Sequence, residues 1–189
     1  MSTTPEDIHR RMLAAYKVCN HYTDEGVVDG PLGRHWFTTQ FERPDRLSFV
    51  FGGWQGEDRV TEYRLESSGA RTTVWRARDQ EPEPYQSLGL AVAALTGVTS
   101  GVSHCVPSLL LPELGGRTLG DLGTVRLVRS DTVNAGHCHV VEGVYPDLSD
   151  FVAQLWIAKD VPFLSRVVTE FRAGQLGGRF VCEYLARGV

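Results

Sequence analysis

The chain of 189 residues carries 19 Lys and Arg against 23 Asp and Glu, a formal net charge of -4. Because its basic residues are scattered, this balance argues against a nucleic-acid-binding protein and against a polybasic membrane anchor. Hydrophobic residues make up 42% of the chain. That share is enough for one hydrophobic core, and we expect residues 1–189 to form a single domain.

The sequence also bears on the compartment. No apolar run approaches the roughly 20 residues of a transmembrane helix. The first residues, MSTTPEDIHRR, lack the apolar segment of a signal peptide. We therefore expect a cytoplasmic protein, although an exported domain whose leader has been removed fits the same pattern. The four cysteines are widely separated and form no CxxC pair, which favours reduced thiols over a zinc site or a disulfide scaffold.

Residues 4–19 are predicted to form an amphipathic helix. Thr4 is a suitable N-cap, and Pro5 occupies the favoured first position. Apolar side chains recur at helical spacing, and charged side chains lie on the opposite side. A helix of this kind needs an apolar surface to cover.

Beyond the helix the hydrophobic period changes to two, which indicates strands. A short strand is expected around Gly26–Val28, and others carry Phe37, Thr39 and Phe41, then Leu47, Phe49 and Phe51, then Thr61, Tyr63 and Leu65, then residues 71–77. Turn-forming residues separate these segments. The pattern predicts a run of five antiparallel strands.

An insertion of about residues 82–114 then interrupts the strands. It opens with Glu81-Pro82-Glu83-Pro84, and residues 85–95 (YQSLGLAVAAL) are predicted to be helical. A loop follows, then a helical turn at residues 108–111, and Gly115-Gly116 ends the insertion. Five more strands are predicted near residues 124–130, 137–145, 151–158, 163–172 and 176–186. Their expected turns include Asn134-Ala135-Gly136, residues 160–163 and Ala173-Gly174-Gln175.

This order predicts an α+β fold that is mainly β. An antiparallel sheet of about ten strands curls or closes rather than staying flat. We expect a curved half-barrel whose concave face is covered by the N-terminal helix and the helical insertion.

Four stretches carry a family resemblance: MLAAYKVCNHYTDEGVV, FTTQFERPDRLSFVF, TGVTSGVSHCVPSLLLPE and LWIAKDVPFLSRVV. They resemble bacterial proteins of unknown function in the LolA-like superfamily, which has the lipoprotein-carrier fold. The resemblance implies a curved, incomplete antiparallel barrel closed by helices over an apolar cavity. Lipoprotein carriers are exported, whereas no leader is visible here. The fold also occurs in a pigment-pathway enzyme, whose active-site pattern this sequence lacks.

The most conspicuous site candidate is His104–Cys105, within the insertion. One interpretation is a thiolate activated by an adjacent imidazolium. The alternative is that Cys105 packs inside while His104 holds the insertion by a hydrogen bond. Neighbouring side chains point apart, which favours the second interpretation. His104 would still be a polar group facing an apolar pocket if the insertion covers the cavity.

Two other groups of residues are site candidates, a pair of histidines and the aromatic residues. His137 and His139 share one strand face, but no further ligand stands at a suitable spacing, so we expect no metal and no cofactor. The aromatic residues are either ordinary core or the lining of the concave face. Strand parity favours the concave face for Phe37, Phe49, Phe51, Tyr63 and Leu65, whereas Trp36 and Trp156 have the opposite parity. With the insertion residues added, the predicted ligand-binding residues are Phe37, Phe49, Phe51, Tyr63, Leu65, Tyr85, His104 and Leu110.

Three functions remain open from the sequence. The leading hypothesis is a soluble cavity protein that binds a lipid or another hydrophobic small molecule between the sheet and its helical cover. The alternative is a biosynthetic cyclase or isomerase of the same fold, with His104, Tyr85 or Tyr63 as proton-transfer candidates. A protein-interaction module that uses a sheet edge has no specific motif to support it.

Overall fold

The computed structural model describes residues 4–31, 33–171 and 178–189. One helix, six strands, a helical segment and five more strands follow one another, which is the predicted order with one strand added. The helices are α1 (Pro5–Val18), α2 (Leu88–Thr96), α3 (Val102–Cys105) and α4 (Pro107–Leu110), with 3-10 turns at Pro112–Leu114 and Leu119–Asp121. The strands are β1 (His21–Gly30), β2 (Gly33–Glu42), β3 (Arg46–Gln55), β4 (Asp58–Ser68), β5 (Arg71–Arg76), β6 (Glu83–Tyr85), β7 (Val125–Val133), β8 (Gly136–Tyr145), β9 (Leu148–Ala158), β10 (Leu164–Phe171) and β11 (Arg179–Gly188).

All eleven strands belong to one antiparallel sheet in the order β6-β5-β4-β3-β2-β1-β11-β10-β9-β8-β7. The sheet is curved and unclosed, so the predicted α+β, mainly β half-barrel is confirmed. The pairing of β1 with β11 joins the first and last strands at the centre of the sheet. As a result the two predicted runs of strands form two halves of one concave surface, an N-terminal half (β1 to β6) and a C-terminal half (β7 to β11).

Helix α1 begins and ends as its sequence predicts. The Thr4 hydroxyl accepts a hydrogen bond from the Asp7 N–H at 3.2 Å, which satisfies one of the free donors of the first turn. The buried stripe is Ile8, His9, Met12 and Tyr16. Tyr16 fixes the helix to the sheet, because its hydroxyl accepts the Leu164 N–H at 3.2 Å. None of the helices within the described residues is long and apolar enough to span a bilayer.

Gly26 allows a close contact between β1 and the neighbouring strands because it has no side chain. Gly26 lies at a register shift between β1 and β11. A Cβ at this position would stand 2.3 Å from Cζ of Phe37 and 2.5 Å from the carbonyl oxygen of Glu183. Both approaches are far inside van der Waals contact, so the Phe37 ring can lie on the β1 backbone only because residue 26 is glycine.

The structure has one strand more than the ten predicted. This additional strand is β6, at the edge of the sheet, where the sequence pattern predicted only a break. Pro84 lies within it, paired to β5. A proline is tolerated here because an edge strand has one side without ladder hydrogen bonds. Tyr85 therefore belongs to this strand, and the helix that was predicted from residue 85 begins at Leu88. The Ser87 hydroxyl caps that helix by accepting the Leu90 N–H at 3.3 Å.

The remaining predicted turns divide into those described and one that is not. Asn134 and Ala135 have φ angles of 48° and 63°, which are the left-handed values of a tight hairpin, so this turn is confirmed. The chain also turns between β9 and β10, at residues 159–163, as expected. The turn predicted at Ala173-Gly174-Gln175 lies outside the described residues.

Candidate functional site

A cavity of about 380 Å³ lies between the C-terminal half of the sheet and the junction of α2 and α3. Buried apolar side chains of β1, β10 and β11 form its floor, including Val28, Val167 and Cys182. More exposed residues form its mouth, including Gly97, Ser100 and Arg117. The full lining is Val28, Thr96, Gly97, Ser100, Gly101, Val102, His104, Cys105, Ser108, Arg117, Thr118, Leu119, Tyr145, Phe151, Val167, Thr169, Phe180 and Cys182.

Three hydroxyls of the cavity lining form hydrogen bonds with nearby backbone groups. Thr96 donates to the Val92 carbonyl at 2.8 Å, and Ser108 donates to the Cys105 carbonyl at 3.1 Å. The Thr118 hydroxyl accepts the Gly120 N–H at 3.0 Å. Because these three hydroxyls already have backbone partners, they are less available to a ligand than their residue types suggest.

The chain link between α2 and α3 makes room for the cavity. It consists of residues 97–101, where Ser100 and Gly101 adopt left-handed φ angles of 54° and 81°. Elsewhere the helical cover (α2, α3, α4 and the two 3-10 turns, residues 88–121) fills the sheet surface with leucines. Small side chains in the link leave that volume unfilled beneath it.

His104 and Cys105 do not form a catalytic dyad. The His104 ring nitrogen Nε2 lies 2.9 Å from the Gly115 carbonyl oxygen and donates to it. Cys105 instead receives a hydrogen bond from the Tyr184 hydroxyl, with 3.4 Å between the oxygen and Sγ. His104 thus does both things that the sequence left open: it lines the cavity at its mouth and it holds the segment after α4 in place.

Burial keeps the cavity thiols protonated. It raises the pKa of Cys105 to about 11 and that of Cys182 well above the ordinary value. A thiol attacks as the thiolate, so neither side chain is a nucleophile near neutral pH. Asp24 and Tyr22, on the inner face of β1, are buried close to this group. Tyr22 and Asp24 thus form a polar pair behind the cavity floor. The sequence did not predict this pair, because apolar and polar residues do not alternate around Asp24.

Most of the predicted ligand-binding residues do not line the cavity. Five of them are at most 1% exposed and belong to the solid core of the N-terminal half and its cover: Phe37, Phe49, Phe51, Leu65 and Leu110. Their inward parity is as predicted, but α2 and α4 already fill the space above them. Their role in ligand binding stays a prediction with no cavity contact behind it.

The proton-transfer candidates are not assembled into one site. Tyr63 lines a separate surface groove between α2 and β4–β5. The Tyr85 hydroxyl accepts a hydrogen bond from Arg76 at 2.8 Å, at the edge of the sheet. His104 alone lines the cavity, so the enzymatic alternative gains no support from the geometry.

Many of the cavity residues that the sequence did not identify lie on the inner faces of the C-terminal strands. They are Tyr145, Phe151, Val167, Thr169, Phe180 and Cys182, with Leu119 from the cover. The signal that could have found them is the small-residue run of residues 97–101, which marks where the cover is thin.

The paired histidines of β8 have no metal-binding partners in the described part of the chain, where no group of three or more His, Cys, Asp or Glu is suited to a metal ion. Burial lowers the pKa of His139, and the nearby cations Lys159 and Arg11 lower it further. The same positive charges oppose binding of a metal cation. Trp156 lies on the convex face, as its parity predicted, in a small cluster with Val140 and Val168.

Comparisons with known proteins support the fold. No family model matches the sequence, and no curated protein does so with significance. Among solved structures, LprF from Mycobacterium bovis aligns over 100% of this chain and 96% of its own, with 13% identity and a TM-score of 0.56. The lipoprotein LppX from Mycobacterium tuberculosis aligns over 95% and 92%, with 14% identity and a TM-score of 0.55.

A third match is the MucA/MucB complex of Pseudomonas aeruginosa, with 13% identity and a TM-score of 0.52. It covers 97% of this chain but only 56% of the matched chain. At these identities the likeness is one of fold. The unclosed antiparallel half-barrel with its helical cover is the architecture that the sequence resemblance implied, and the chain shares its fold with LprF and LppX.

Proposed function

We propose that the protein binds a hydrophobic small molecule, such as a lipid with a single chain, in the cavity between the C-terminal half of the sheet and the helical cover. The observation that carries this proposal is the cavity itself. Its volume of about 380 Å³ falls in the usual range for small-molecule sites, roughly 300–1,000 Å³. Valine, leucine, phenylalanine and tyrosine supply seven of its 18 lining residues, and valines lie on its buried floor.

The volume limits the ligand. At about 30 Å³ for each heavy atom, the share of one water molecule in the liquid, the cavity holds roughly a dozen non-hydrogen atoms. One acyl chain of moderate length or a small ring system fits this space. A lipid with several chains does not fit within it.

The same volume sets a scale for affinity. Burying a dozen methylene groups at ~0.8 kcal/mol each contributes just under about 10 kcal/mol. Association costs about 4 kcal/mol or more. The difference, between about 5 and 6 kcal/mol, corresponds to a dissociation constant on the order of 100 μM. Tighter binding requires a polar contact in addition to the apolar lining.

A substitution that fills the floor tests the proposal. We expect Val167→Phe to remain folded and to reduce binding of the small uncharged fluorescent probe 1-naphthylamine at least about tenfold, because the added ring takes up cavity volume. The control is Val60→Phe, at a β4 position that is 39% exposed and away from the cavity. Circular dichroism checks that both variants are folded. Equal probe binding by wild type and Val167→Phe would contradict the proposal.

A further inference from the structure

The cavity mouth holds one permanently charged side chain. Of the residues that line the cavity in the described part of the chain, Arg117 is the only Lys, Arg, Asp or Glu. A cation beside an apolar cavity whose described lining holds no carboxylate matches a ligand whose own charge is negative and confined to one end. The positive charge at the mouth therefore indicates the charge of the ligand's polar end, which the apolar lining does not indicate.

The backbone on both sides of Arg117 is fixed. Before it, Gly115 and Gly116 turn the chain with φ angles of 71° and 77°. After it, Thr118 caps a 3-10 turn: its N–H donates to the Asp121 carboxylate at 2.7 Å. The guanidinium carbon lies 5.2 Å from the centre of the Tyr145 ring. A cation held by backbone turns and by a ring face is positioned before any ligand arrives.

The guanidinium also retains donors for a ligand. Its Nη2 group donates to Asp147 in the turn between β8 and β9. Among the described residues, no hydrogen bond is formed by its Nε or Nη1. The ion pair with Asp147 is exposed on both sides, with 43% and 67% of the two side chains accessible. Exposed pairs of this kind are weak, so an anionic ligand can bind Arg117 in competition with Asp147.

The other lining residues favour one orientation of the ligand in the cavity. From the mouth at Arg117 the cavity runs to the buried floor at Val28 and Val167, where no charged group lies among the lining residues described. A polar head at the mouth and an apolar tail on the floor would satisfy both ends. Because guanidinium donors are arranged as a planar fork, carboxylate and phosphate oxygens are the anions that they match best.

We propose that the cavity selects a single-chain amphiphile with an anionic oxyacid headgroup, and that Arg117 binds this headgroup at the mouth. This inference rests on the proposed function, since it names the ligand class of the same cavity. It makes Arg117 the residue that sets head-group specificity, and it leaves the floor to set chain length.

The test is competition between ligands with one tail and different heads. Dodecanoate, dodecyl phosphate, dodecanol and dodecyltrimethylammonium are titrated against the bound uncharged probe, the charged ligands below their micelle-forming concentrations and dodecanol below its solubility limit. We expect the two anions to compete about tenfold or more better than dodecanol, and the cation to compete worse than dodecanol, because a charged hydrogen bond forms only with the anions. We expect Arg117→Gln to bring both anions to the level of dodecanol while leaving dodecanol unchanged.

The matched control is Arg126→Gln, which removes an exposed, ion-paired arginine that is not part of the cavity lining. It should retain the preference for anions. If the arginine effect is seen with only one oxyacid, that oxyacid is the headgroup and the proposal stands. A preference that persists in Arg117→Gln, or no preference in the wild type, overturns the inference. In both of those cases the proposed cavity function would still stand if dodecanol displaces the probe from the wild type but not from Val167→Phe. If no ligand displaces the probe, the cavity function and the head-group inference are both overturned.

Discussion

Arg43 joins three parts of the molecule, and its loss should weaken all of them together. Its Nε donates to the Cys19 carbonyl at 3.0 Å. Its Nη2 donates to the Lys17 carbonyl at 2.5 Å and to the Leu110 carbonyl at 2.9 Å. These acceptors are the last carbonyls of α1 and the end of α4, which have no partner in a helix. A cation at these helix ends also interacts favourably with the helix dipole.

The expected cost of Arg43→Met follows from these bonds. Three partly exposed hydrogen bonds from a charged donor contribute about 1 kcal/mol each, so the free energy of unfolding should fall by about 3 kcal/mol. For a chain of this length the corresponding decrease in Tm is about 6–12 °C. Urea unfolding and thermal circular dichroism measure the two quantities independently.

The chain provides a matched control three residues away. Arg46 pairs only with Glu42 in the contacts of the described residues, and both side chains are largely exposed, at 66% and 48%. Arg46→Met should therefore change the free energy of unfolding by less than about 0.5 kcal/mol. If Arg43→Met costs no more than Arg46→Met, then Arg43 does not hold the helices, and the account of the cover is wrong.

Two further predictions concern packing and pH. Gly26→Ala should destabilise the fold by about 2 kcal/mol or more, because the new methyl group would overlap the Phe37 ring and the Glu183 carbonyl; Gly97→Ala, where a Cβ meets nothing within 4 Å, should be neutral or slightly stabilising in the same urea titration. Burial raises the pKa of Cys105 from 9.0 to about 11, so the unfolded chain loses this proton at a lower pH than the folded chain. The free energy of unfolding should therefore fall as pH rises through this interval, by about 2–3 kcal/mol in total from this group. Cys105→Ala should reduce that fall in urea titrations at pH values between the two pKa values; an unchanged pH dependence would show that Cys105 is not buried as described.

The fold was predictable from the sequence because its signals are local. In β2 and β3, alternating aromatic residues marked both the strand and its buried face, and Phe37, Phe49 and Phe51 are indeed buried. The α1 helix was marked by its cap, its proline and its apolar stripe. By contrast, β6 was missed because its pairing to β5 depends on a distant partner and not on its own composition.

The site was harder to predict because it depends on what is absent. Parity identifies the residues that face inward, but it does not say where the cover leaves a gap above them. Leu110 and the helix α2 close the N-terminal half, while residues 97–101 are too small to close the C-terminal half. Only the three-dimensional fit between cover and sheet distinguishes these two cases. His104 was found because its His–Cys pair stands out three residues after that small-residue run. The cytoplasmic location stays a prediction.

Native mass spectrometry with dodecanoate tests the central claim most directly. A cavity of this volume predicts one bound molecule for each chain of the wild-type protein, and no bound molecule for Val167→Phe under the same conditions. The protein as purified would show the same single occupancy if it retains its natural ligand. The absence of any bound dodecanoate, or equal occupancy in the wild type and in Val167→Phe, would contradict the assignment of this cavity as a binding site.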